Sequence, residues 1–112
     1  MALSDIIRTA LLTAQIDGTK TIDRVEVQEI AFPANQRSPV HLHPCPVIGL
    51  VTRGTIRLEV EGQPSQEIHA GDAFFEPANT RILHFDAIDG PATFVAYYLL
   101  GQDDTELIVL LS

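Results

Sequence analysis

Thr55–Val60, TIRLEV, sets Ile56, Leu58 and Val60 against Thr55, Arg57 and Glu59 in strict alternation. Period two marks a strand with one buried and one wet face. After Gly18 the rest of the chain reads the same way, as short segments cut by turn residues. TIDRVEVQEIAF runs to Pro33, and VIGLVTR meets TIRLEV at Gly54. QEIHA precedes the Gly71–Asp72 turn. AFFEP and RILHFDA follow, then TFVAYYLL after the turn IDGP, and TELIVLL last. Many short strands with Gly and Pro at the joints fit an all-β sandwich or barrel. Residues 21–112 are expected to form this single domain. Leu3, Ile6, Ile7, Ala10, Leu11 and Ala14 follow helical spacing behind a capping Ser4. A short helix over residues 1–20 is therefore expected as an appendage.

The 112 residues suffice for one hydrophobic core without staples. Trp is absent, so aliphatic side chains must build much of it. The net charge is −8 and Lys20 is the only lysine, which argues against nucleic acid and anionic membranes as partners. Cys45 is the only cysteine, so no internal disulfide is possible. Asp5 and Arg8 interrupt the N-terminal apolar stretch, and LIVLL is too short to cross a bilayer. A cytoplasmic protein is expected.

Chemistry concentrates in PVHLHPCPV, Pro39–Val47. On a strand, His41, His43, Cys45 and Val47 share one face, and two imidazoles at i and i+2 can converge on a metal ion. Two histidines near a loop are also compatible with ordinary polar side chains. Cys45 would face the same mouth, either as a soft ligand or as a small buried hydrophobe. Glu76 is a candidate cavity carboxylate or a solvated strand end, since its parity matches Phe74 but the inner face is not fixed by sequence. Arg53, Arg57 and Arg81 would bind a substrate carboxylate only if one pointed inward. No phosphate loop, nucleophile elbow or cysteine pair is present.

The surroundings of this stretch resemble the cupin superfamily over roughly residues 25–100. The family's first motif, G-x5-H-x-H-x3/4-E-x6-G, falls on Asn35, His41, His43, Val47 and Gly54. The second, G-x5-P-x-G-x2-H-x3-N, falls on Gly71, Pro77, Asn79, Ile82 and Asp86. Asn35 and Asn79 stand where the family has glycine, and asparagine tolerates left-handed backbone angles. Val47 stands where the family has its ligand glutamate. Ile82 stands at the third histidine, with His84 two residues on and on the same face of an unbroken strand.

The resemblance implies a small antiparallel jelly-roll β-barrel. It also implies a metal site of His41, His43 and His84, similar to that of three-histidine cupins such as thiol and diketone-cleaving dioxygenases. The metal would be Fe, Zn, Ni or Cu. Without the glutamate, its charge would favour an anionic or bidentate small-molecule substrate. The expected function is metal and small-ligand binding with dioxygenase-type chemistry. The competing reading is a metal-free binding or sensor module. A homodimer is expected in either case, and a purely structural homo-oligomer, joined through the helix and TELIVLL, is a third reading.

Overall fold

A computed structural model describes residues 5–111. Seven strands run in chain order: β1 (Arg24–Phe32), β2 (His41–Leu42), β3 (Val47–Val60), β4 (Gln66–His69), β5 (Ala73–Glu76), β6 (Ile82–Leu100) and β7 (Val109–Leu110). All pairings are antiparallel.

The long strands β3 and β6 form the spine and pass from one sheet into the other. The first half of β3 and the second half of β6 lie between β5 and β1. The second half of β3 and the first half of β6 lie between β4 and β2, and β2 carries β7 on its far side. This is the antiparallel jelly-roll arrangement. VIGLVTR and TIRLEV, which read as two strands, are one 14-residue strand. RILHFDA and TFVAYYLL likewise join in the 19-residue β6. Each bends rather than ends. At Gly54 (φ +76°) a Cβ would lie 2.2 Å from the Pro91 carbonyl oxygen, so only glycine allows the two strands to turn together. The last strand is shorter than expected, with only Val109 and Leu110 paired.

Asn35 and Asn79 adopt φ of 64° and 56°. Both are left-handed turns that asparagine tolerates. The core between the sheets holds Val51, Ile56, Leu58, Val60 and Ile82, all fully buried. A ring cluster joins it, with Phe85 and Phe94 centroids 4.9 Å apart and Phe74 and Phe85 5.3 Å apart.

Among the described residues the N-terminal helix is not formed. Leu3 and Ser4 lie outside the described residues, and from Ile6 to Ile16 the chain has no regular secondary structure. The segment is about as short as a marginal isolated helix, and Ile6, Ile7, Thr9, Thr13 and Ile16 are β-branched. Leu12–Asp17 lie beside Pro46, Phe75 and the Pro77–Thr80 loop.

Candidate metal centre

Three elements bring the site together. β2 carries His41, and the residue just after it, before the bend at Pro44–Cys45, is His43. β5 carries Glu76, whose inward parity follows Phe74: both are buried, while Ala73 and Phe75 are half-buried. Glu76 pairs across the sheet with Val47 of β3. The carboxylate missing at Val47 therefore enters the same space from the neighbouring strand.

The side chains are held from behind. His41 Nδ1 lies 2.8 Å from the Pro39 carbonyl oxygen, and His43 Nδ1 lies 2.7 Å from that of Leu107. A carbonyl oxygen only accepts, so each Nδ1 carries a proton and each Nε2 is left facing the cavity. The His43 backbone carbonyl is fixed by the Asn79 N–H at 2.8 Å, which ties the turn at Asn79 to the site.

In front, His43 Nε2 lies 3.6 Å from Glu76 Oε1, and His41 Nε2 lies 3.9 Å from Glu76 Oε2. Ligand atoms of the three residues fall within 4.8 Å of one another, and all three side chains are buried. Glu76 Oε2 has no hydrogen-bond partner. A buried polar atom without a partner costs free energy. Two imidazole Nε2 atoms and a carboxylate converge on one point, and a cation completes such a set. The donor set therefore fits a divalent metal.

Burial works to lower the pKa of His43. The Glu76 carboxylate and the Leu107 carbonyl outweigh burial and raise it. Tyr98 forms an edge-on contact with His43 at 5.8 Å between ring centroids. Burial, then the charges of Glu76, Cys45 and Glu26, push its phenol up to about 12, so it stays a hydroxyl near neutrality. The site opens into a cavity of about 320 Å³ whose walls include Ile30, Phe32, Phe85, Phe94 and Ala96, with Gln28 and Ser38 as further polar groups.

The expected set of His41, His43 and His84 is not brought together. The pairing of β3 with β6 slips between Glu59–His84 and Val60–Ile82, leaving Leu83 as an extra residue. A bulge reverses face parity. Ile82 points into the core, and His84, opposite the outward Glu59, points out. There its Nδ1 donates to Asp86 Oδ2 at 3.1 Å, in a separate surface pocket lined also by Asn35, Arg37 and Arg57. Cys45 also departs from the expected face. The turn through Pro44 and Pro46 breaks the alternation, so Cys45 is fully buried but does not line the cavity. Burial, then the charge of Asp104, raises its pKa, consistent with an inert packed thiol. Arg53 and Arg81 are exposed, and Arg57 binds Ser65 and Glu59. The sequence alone leaves Glu76 between cavity and solvent. Its signal was the inward Phe74 two positions earlier.

The family model of the cupin domain matches residues 28–98. The chain belongs to the cupin family. No curated protein sequence matches it significantly. Among solved structures, this cupin is similar to a DMSP lyase from Ruegeria pomeroyi, at 24% identity over 77% of this chain and 42% of the other, with a TM-score of 0.68. A cupin-like protein of Thermotoga maritima matches at 23% identity over 79% and 65% of the two chains, with a TM-score of 0.65. An oxalate oxidase in complex with the substrate analogue glycolate matches at 23% identity over 78% and 46%, also at 0.65. The chain thus spans between 42% and 65% of the length of these structures. At these identities the likeness speaks for the shared fold. Among the described residues no helix is long and apolar enough to cross a membrane.

Proposed function

We propose that this cupin binds a divalent metal through His41, His43 and Glu76 and uses it on a small organic ligand held in the cavity. The observation that carries this reading is the donor set: three buried acceptors around one point, one of them the unpartnered Glu76 Oε2. Two histidines and one carboxylate with open positions are the set typical of non-haem Fe(II) oxygenases, and also of catalytic zinc. That supports iron or zinc over copper or nickel, and it keeps oxygenation among the reaction classes. When bound, the metal would supply a Lewis acid for ligand oxygens. This chain's own residues would do the rest. Pro39 and Leu107 fix the two imidazoles, Tyr98 offers a protonated hydroxyl at the wall, and the phenylalanines exclude water.

The barrel, residues 21–112, is the unit that would carry this activity, in a cytoplasmic protein. A homodimer through the outer face of β1 belongs to the same reading. Val25 and Val27 are about half exposed there, and Val27 pairs with the exposed Tyr97.

Elemental analysis of purified protein beside Glu76→Gln tests the proposal. Near-stoichiometric metal in the parent and little in the variant is the expected result. Negligible metal in both, after incubation with iron and zinc, would overturn it and leave the cavity as a metal-free binding pocket.

A further inference from the structure

We infer that the cavity takes a small monocarboxylate with an uncharged tail and rejects ligands bearing a second charge beyond the metal-binding head. This rests on the metal reading above and adds the substrate class.

Seven lysines and arginines exist in the chain, and none lines the cavity. Arg24 is spent on the Gly101 and Asp104 carbonyls, Lys20 on Asp104, Arg57 on Ser65 and Glu59, and Arg81 on Glu61. A carboxylate deeper in the cavity would meet Phe32, Phe85 and Phe94 with no cation to pair with. An unpaired buried charge is strongly disfavoured.

The head is different. A divalent ion with one glutamate leaves one net positive charge, which a single carboxylate balances. Beyond the head, the polar lining consists of neutral groups, Gln28, Ser38 and Tyr98. They can hydrogen-bond a hydroxyl or carbonyl without adding charge. A cationic tail finds no counter-charge on the lining either, since Glu76 faces the two histidines. The volume of about 320 Å³ sits at the small end of ligand pockets.

Cobalt-loaded protein, its metal content measured first, is titrated calorimetrically with acetate, butyrate, succinate and 4-(trimethylammonio)butyrate. Physiological salt screens the acidic surface. Butyrate should bind more tightly than acetate. It should also bind at least about thirtyfold more tightly than succinate, and about tenfold more tightly than the ammonium compound, from the cost of an unpaired charge. Ile108 lines the cavity and is partly exposed, so Ile108→Ser should leave the fold intact. It should weaken butyrate about fourfold, the worth of roughly one buried methylene, and leave acetate unchanged. Succinate or the ammonium compound binding as tightly as butyrate overturns the tail inference alone. So does equal weakening of acetate and butyrate by Ile108→Ser. Failure of the protein to hold cobalt overturns this inference together with the metal reading.

Discussion

Two histidine–carboxylate clusters lie on opposite sides of this barrel wall, and they differ in how far their hydrogen bonding is complete. Outside, His84 donates to Asp86 Oδ2, and the Ser38 N–H reaches Asp86 Oδ1 at 3.3 Å. Both Asp86 oxygens there have a partner. Inside, His41 and His43 turn Nδ1 to backbone carbonyls behind them and Nε2 toward a carboxylate with one unpartnered oxygen. The residue types match, but their orientation does not. A complete cluster ties strands together, whereas an incomplete one, buried, is a place for a cation.

The strongest way to break this contrast is to remove the inner carboxylate. Glu76→Gln should lower metal affinity by at least about a hundredfold, more than loss of an outer partner usually costs. Competition against a chromogenic chelator measures it. Metal should also raise the melting temperature of the parent by roughly 10 °C at a hundredfold excess over Kd. That shift should vanish in the variant.

The second experiment sharpens the contrast by moving the carboxylate. Val47 faces Glu76 across the sheet. The exchange Val47→Glu with Glu76→Val should recover metal binding to within about tenfold of the parent, if what matters is a carboxylate at this point and not its strand of origin. The same chelator competition reads it, and affinity no better than that of Glu76→Gln would show that the strand of origin matters.

The outer cluster should respond quite differently. His84→Ala should leave metal stoichiometry unchanged and cost about 1 kcal/mol of stability, the usual worth of a hydrogen bond. Urea denaturation together with elemental analysis separates the two effects. Loss of metal in this variant would erase the distinction between the clusters.

A third carboxylate extends the comparison to pH. Asp104 accepts from Lys20 at 2.7 Å and from the Gly101 N–H at 2.8 Å, and these bonds hold its pKa below the ordinary 3.8. Because the folded-state pKa is lowered, the stabilisation is present above the unfolded value and is lost as pH falls through the folded one. Melting curves of the parent and Asp104→Asn should therefore differ at neutral pH and converge in acid below 3.8. The effect should be small, because surface ion pairs contribute little. The smallest change expected is from Val27→Lys, which should shift the proposed dimer toward monomer in analytical ultracentrifugation while metal content stays the same.

Much of this molecule is legible in its sequence, for identifiable reasons. Ile56, Leu58 and Val60 announce their strand because period two leaves one solution for a half-buried segment. Asn35 and Asn79 can be read as left-handed turns because few side chains tolerate that conformation. His41 and His43 can be read as a pair because they are close in the chain. His84 is misread for one reason: a bulge at Leu83 depends on how β3 meets β6, and no local pattern records it. Glu76 is ambiguous for a related reason. Its role depends on facing Val47 across two strands, a relation that exists only after the sheet has formed. The N-terminal segment shows the reverse case, in which a helical pattern is present but residues 6–16 form no regular structure.

The position of Tyr98 has a practical consequence. The chain has no tryptophan, and Tyr97 and Tyr98 are its only tyrosines. One is exposed on the outer face, and the other lines the cavity beside His43. Ultraviolet-excited emission from this protein therefore comes from two adjacent rings, one in solvent and one at the site. A paramagnetic ion or a ligand entering the cavity would quench the inner ring selectively, while a soluble quencher would reach the outer one. The molecule carries its own optical gauge of occupancy, with an internal reference one residue away.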